Sequence, residues 1–291
     1  MQAAGPPQQP EARPASAPPR GWTLALGGLG LIAAVPGLLA LARIWSTVDY
    51  YAHGFLVPAV SWWALHRDRD RWSGIPPRGD RRGVATLVLA LLGYVAGLAA
   101  GLPWLIGLSL VAALAAAVLV AAGAAVLRAV AFPVGFLIFM SPLPEPVLGP
   151  VIRELQVLVS EVASGLLAVA GLPVERAGNV LVLPTGEELF VAEACSGVTS
   201  LITLMPLGVL LAYFTQKRLS ARLLLVSAVV PLALFFNLVR VMGTVWLSLR
   251  IGAERATSGL LHEGYGLAVY VVGCLALLGV GRALERIGVG R

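Results

Sequence analysis

Three side chains far apart in the sequence can do chemistry together: the thiol of Cys195 in "EACSGVTSL", the guanidinium of Arg240 in "NLVRVMGT" and the imidazole of His262 in "LLHEGYG". Cys195 stands just before an apolar run, at the N-terminus of the helix which that run predicts. There the helix dipole and nearby positive charge favour the thiolate, lowering a pKa that is about 8.5 in free cysteine. An imidazole in reach can take the thiol proton and later return one to a leaving amine. A guanidinium can stabilise the thiolate or the oxyanion of a tetrahedral intermediate. The backbone N–H groups of Ser196 and Gly197, unpaired at a helix start, are further oxyanion donors, and Gly197 has no Cβ to block close approach. A blander reading stands beside this one on spacing alone. Free cysteine is ordinarily a small buried apolar residue, Arg240 can partner Glu193, Glu263 or backbone carbonyls, and His262 can sit at a helix start in the membrane interface.

The elements that must position these groups are set by composition. Charged residues make up 12% of the chain and apolar residues 58%, against about 25% charged in soluble domains; the mean hydropathy is +0.86. This is the composition of an all-α polytopic membrane helix bundle. At about 20 apolar residues per crossing, about eight spans are expected: 22–42, 54–65, 84–101, 104–126, 129–140, 197–214, 223–249 and 263–281, of which the second and fifth are short. The pI of 9.9 does not point to nucleic acid, because the basic residues fall between the apolar runs. Of the 21 Lys and Arg residues, Arg43, Arg153, Arg176, Arg250 and Arg255 fall on one side of this topology, Arg240 falls within a span, and the rest fall on the other. The positive-inside rule then puts both termini in the cytoplasm. Cys195, Arg240 and His262 consequently lie towards the outer face, on three consecutive spans. At 1.5 Å per residue, Arg240 is about 12–14 Å below the outer end of its span. An arginine at such depth usually faces a bundle interior.

Residues 1–21, rich in Pro, Ala and Gln, read as a disordered cytoplasmic tail, and 22–287 as one membrane domain. The run 22–42 is longer than a signal peptide's apolar region and is read as a retained span. Within the domain, 141–194 forms an outward-facing insertion that leads to Cys195. It opens on the chain-breaking "SPLPEP" and continues as an amphipathic helix over 147–170, lying in the interface plane or on the bundle. It closes on a short β-hairpin in "GNVLVLPTGEELFVA".

The remaining polar residues admit two readings each. Asn237 and Thr244 share a helix face with Arg240; Asn237 either holds Arg240, donates to an oxyanion or packs helices through its amide. Glu193 either orients His262 or Arg240 or is solvated. His53 in "YAHGF", outward-facing with the interfacial Tyr50 and Tyr51, either contacts substrate or braces the catalytic residues. Cys274 lies mid-span and reads as packing, and His66 in "HRDRDR" as solvated. Neither a nucleotide loop nor a metal site is expected, and no cofactor.

At these residues the chain resembles the exosortase/archaeosortase family of integral membrane cysteine transpeptidases. The resemblance runs over most of 50–265 and rests on "EACSGVTSL", on "NLVRV" as an N-x-x-R-V motif, on His262 in "HEGYG", and on the similar "YAHGFLVP", "SPLPEPVLGPVIRELQ" and "GNVLVLPTGEELFVAEACSG". It implies a catalytic Cys195, Arg240 and His262. It also implies protein substrates anchored by a C-terminal Pro-Glu-Pro signal, a hydrophobic helix and a basic tail. Cleavage would occur at the outer face of the cytoplasmic (inner) membrane, and a thioester acyl-enzyme would pass to an acceptor the sequence does not identify. Such systems accompany exopolysaccharide production. The alternative from another class is a non-enzymatic polytopic protein that binds or exports envelope polysaccharide or lipid.

Overall fold

The computed structural model describes residues 20–172, 174–190 and 197–288, with side chains from residue 28. The expected tail therefore lies almost wholly outside the described residues, as do Glu193, Cys195 and Ser196. The described chain is helical apart from one small sheet. Six helices are long and apolar enough to cross a membrane: α1 (Arg20–Thr47), α4 (Arg82–Ala100), α5 (Pro103–Ala129), α8 (Val198–Thr215), α9 (Leu219–Ile251) and α11 (Gly259–Arg286).

The two short expected spans are present as short helices. α2 (Leu56–Arg67) rises about 18 Å, too little to cross a hydrocarbon core of about 30 Å unaided. It follows a 3-10 turn over Asp49–Phe55 and ends beside the single-turn α3 (Arg69–Trp72). The other short segment is α6 (Ala131–Phe136), extended by a 3-10 turn to Met140. After "SPLP" the chain bends by 70° into α7 (Glu145–Val169), and this bent pair raises the number of crossings that length and composition allow among the described residues from six to at most seven. α2 and α6 pack on each other, which gives each short helix a protein neighbour where lipid alone would not serve.

α7 is the predicted amphipathic helix. Leu148, Ile152, Val159, Ala163 and Leu167 are buried at helical spacing, while Arg153, Glu154 and Glu161 are exposed. The predicted hairpin is β2 (Val180–Val182) paired antiparallel with β3 (Glu188–Phe190). A third strand the pattern did not reveal, β1 (Glu175–Ala177), joins the other edge of β2. Leu181, Leu183 and Leu189 from this sheet bury with Val159, Ala163 and Leu167 of α7 against Val241 and Val245 of α9. The last turns of α9 thus carry a small cap.

Polar contacts gather at two ends of the bundle, and each end joins the chain segments that the charge pattern assigns to one side. At the first, Trp45 Nε1 donates to the Met140 carbonyl (2.9 Å), Ser141 Oγ to the Trp104 carbonyl (3.0 Å) and the Leu143 N–H to Tyr51 Oη (2.8 Å). At the second, Arg71 pairs with Asp68 (3.2 Å), and the Tyr213 hydroxyl donates to Asp68 and accepts from Arg71. The Tyr213 ring stacks on Phe132 at 3.5 Å, and Arg67 lies over Trp63 and Phe214. Between the ends, α8, α9 and α11 share a core of Leu204, Leu225, Val229, Ala233 and Leu277.

Candidate active site

The helices α8, α9 and α11 bring one face of each to the first end of the bundle. α8 begins at Gly197, whose φ of +92° lies in the left-handed region where glycine alone is unstrained. Gly197 is buried, and a Cβ built on it would lie 3.4 Å from Asn237 Nδ2. The start of α8 therefore sits directly on Asn237 of α9. Asn237 is 1% exposed and shares its helix face with Arg240 and Thr244. Thr244 Oγ1 and Ser248 Oγ return hydrogen bonds to the carbonyls of Arg240 and Thr244, at 2.9 and 2.8 Å. These satisfy two hydroxyls inside the cap rather than presenting them to the site.

Arg240 reaches across to α11. Its Nη2 lies 3.3 Å from His262 Nε2, and His262 Nδ1 lies 3.0 Å from the Ala256 carbonyl. A carbonyl and a guanidinium leave no freedom in the tautomer. Nδ1 must carry the proton to donate to Ala256, and Nε2 must offer its lone pair to Arg240. The ring is thereby fixed by α10 (Ala253–Thr257), the short turn between α9 and α11. Arg240 is half-buried, next in the chain to Val241 on which the cap packs.

Two glycines let α9 and α11 approach here. A Cβ on Gly266 would lie 3.0 Å from Arg240 Nη2 and 3.1 Å from its Cζ and Nε, so the guanidinium rests flat against that backbone. In return Tyr265 packs onto Gly243 of α9, where a Cβ would overlap its ring, and its hydroxyl donates to the Val239 carbonyl at 2.9 Å. Sequence reasoning missed Gly243, Tyr265 and Gly266. Their signal was spacing: Gly243 is three residues from Arg240 and Gly266 four from His262, each on the face of the residue it serves.

His53 is held elsewhere at the same end. Its Nδ1 lies 3.1 Å from the Tyr50 carbonyl and its Nε2 3.1 Å from the Phe139 carbonyl, so the ring ties the 3-10 turn after α1 to the 3-10 turn that extends α6. These contacts brace the fold, and the described residues give His53 no hydrogen bond to Arg240 or His262. Burial lowers its pKa below the usual 6.5, against the opposite pull of the two carbonyls. Neighbouring Tyr51 has its pKa pushed up to about 12, mainly by burial, so its hydroxyl stays protonated while accepting from Leu143. Cys274 is half-buried among the side chains between α8, α9 and α11, about 18 Å along α11 from His262.

Comparison with known proteins gives one finding of substance. A family model described as transmembrane exosortase matches residues 45–279, a stretch that contains every side chain named in this site. No curated protein and no solved structure matches the chain.

Proposed function

The chain belongs to the transmembrane exosortase family, and from that premise we propose that it is a membrane-embedded cysteine transpeptidase with Cys195 as nucleophile. The observation that carries this reading is the 3.3 Å contact between Arg240 Nη2 and His262 Nε2, on the helix face whose Asn237 touches Gly197. Cys195 precedes Gly197 by two peptide units, about 7.6 Å of chain at most. That bound on chain length supports the reading by limiting how far Cys195 can lie from Gly197 and Asn237.

In the proposed reaction Arg240 releases its hydrogen bond to His262 Nε2 and turns to the thiolate, and that freed lone pair takes the Cys195 thiol proton while Nδ1 stays bonded to Ala256. The thiolate attacks the carbonyl carbon of the scissile amide, and the C=O electron pair moves onto oxygen. Arg240 carries five N–H donors. One faces His262, and others serve the thiolate and the oxyanion, with the Gly197 N–H as a further donor. Collapse breaks the C–N bond, and the leaving amine takes the proton from His262. A thioester on Cys195 remains, which an acceptor nucleophile resolves as it passes its own proton to His262.

The substrates are proteins held in the membrane by a C-terminal Pro-Glu-Pro signal, a hydrophobic helix and a basic tail. A basic tail retained in the cytoplasm and a crossing helix would present the scissile segment at the outer face of the inner membrane. The charge pattern of the chain puts the Arg240–His262 end on that face.

The test is co-expression with a tagged substrate carrying this signal, with the mass of the processed C-terminus as readout. Processing lost with Cys195→Ala and retained with Cys274→Ala supports the reading, and mass added to the new C-terminus identifies the acceptor. Processing retained with Cys195→Ala removes Cys195 from the mechanism.

A further inference from the structure

At the end of the bundle opposite the Arg240–His262 pair, a cavity of about 360 Å³ opens between α2 and α3, lined by Trp62, Leu65, His66, Arg69 and Trp72. These residues recur every three or four positions, so they form a continuous face across the break between the two helices. The walls are fixed. Trp72 Nε1 donates to the Leu65 carbonyl at 3.1 Å, which locks its indole against the end of α2. His66 lies over the Trp62 ring at 4.2 Å between centroids, and its Nδ1 donates to the Trp62 carbonyl at 3.0 Å. That leaves Nε2 available for a ligand.

The charges of this turn are divided unequally. Arg67 lies over Trp63 and Phe214, and Arg71 is spent on Asp68 and Tyr213. Arg69 has no ion pair among the described residues and lines the cavity instead. Asp68 is engaged by Arg71 and Tyr213, and Asp70 is off the lining face, so neither carboxylate neutralises Arg69 there. Towards its start α2 also exposes apolar side chains, with Leu56, Trp62 and Trp63 exposed at 65%, 65% and 48%.

An unspent guanidinium and an imidazole nitrogen sit beside two indoles, at the point where an apolar helix face meets its first charges. We propose that this cavity binds the phosphate headgroup of an anionic phospholipid, with Arg69 on the phosphate and the His66 ring along the cavity wall. The glycerol lies between Trp62 and Trp72, and one acyl chain runs along α2 past Trp63. Indoles and basic side chains are the groups that membrane interfaces select. A basic peptide is a poor occupant, because it would meet Arg69 as a like charge. The bound lipid would fill the flank of a helix too short to cross the bilayer alone. The site is independent of the chemistry at the other end.

The test uses the purified full-length protein in detergent, with native mass spectrometry during titration of phosphatidylglycerol or phosphatidylcholine of the same acyl chains. Phosphatidylglycerol is expected to bind about fivefold more tightly, the value of one basic side chain at a membrane surface. Arg69→Gln should erase that preference, and Arg78→Gln, in the same basic stretch but off the cavity, should keep it. Equal binding of the two lipids, or a preference that survives Arg69→Gln, overturns the proposal. Displacement of the lipid by glycerol phosphate or inorganic phosphate at equal concentration would mark a free-phosphate site and overturn it too. A second readout needs no charge variant: phosphatidylglycerol brominated near its headgroup should quench more tryptophan fluorescence than brominated phosphatidylcholine. Trp62→Phe should reduce the excess, and equal quenching by both lipids contradicts the assignment.

Discussion

The guanidinium of Arg240 rests against Gly266, one helical turn beyond His262, so closely that a Cβ there would lie 3.0 Å from its Nη2. That contact sets how far Arg240 reaches and therefore whether its Nη2 meets His262. Gly266→Ala should push the guanidinium aside by a few tenths of an ångström or more. Processing of substrate is expected to fall by about tenfold to 100-fold, the penalty typical of a misplaced catalytic group. The fall should appear in kcat rather than KM, with thermal unfolding little changed. Unaltered turnover would mean that the arginine's position is not set here.

The tautomer of His262 is a second checkable consequence. With Nδ1 donating to Ala256 and Nε2 accepting from Arg240, nitrogen-15 shifts of labelled histidine should report a proton on Nδ1 at neutral pH. Arg240→Gln should free Nε2 and cost about 100-fold or more in processing. Arg240→Lys should recover little, since a point charge replaces the planar fork. A proton found on Nε2 in the unmodified protein would contradict the arrangement.

Much of this arrangement is legible from the sequence, for a physical reason. Helix ends are announced by charge, and the positions of Arg43, Arg67 and Arg128 fix which ends lie together. The amphipathic period of α7 and the turn "PTGEE" announce their elements directly. Arg240 and His262 could be assigned to one end because both follow from helix direction. Their contact depends on the mutual approach of α9 and α11, which Gly243 and Gly266 permit only in combination. No pattern along either helix alone contains that. The packing of α2 against α6, and the double tie of His53 to Tyr50 and Phe139, join residues far apart in sequence and escape periodicity for the same reason. β1 is three exposed residues with no alternation to read.

His53 predicts how stability responds to acid. Its pKa is lowered in the folded protein because burial disfavours the imidazolium more than the two carbonyls favour it. The folded chain then binds this proton less readily than the unfolded chain. Its contribution is complete above the unfolded value of 6.5 and is lost as the pH falls through 6.5 towards the folded pKa. Thermal unfolding in detergent should therefore show a loss of stability below pH 6.5 that His53→Gln reduces. A rise in stability on acidification that vanishes in the variant would show that the carbonyls prevail.

At the opposite end, Tyr213 bridges Asp68 and Arg71 while stacking on Phe132. Tyr213→Phe keeps the ring and removes the hydroxyl, at an expected cost of about 1 kcal/mol, readable as a lower unfolding temperature. Substrate processing should be unchanged, because the Arg240–His262 pair lies at the other end. A large loss of processing without a loss of stability would tie this end to the chemistry.

The central claim is covalent, and a trapped intermediate tests it most directly. Purified enzyme incubated with a signal-bearing substrate and quenched in acid should yield a peptide containing Cys195 that carries the truncated substrate as a thioester. Hydroxylamine should release the substrate as its C-terminal hydroxamate, and Cys195→Ala should give neither product. An adduct on any other residue, or processing by Cys195→Ala at the unmodified rate, would contradict the account.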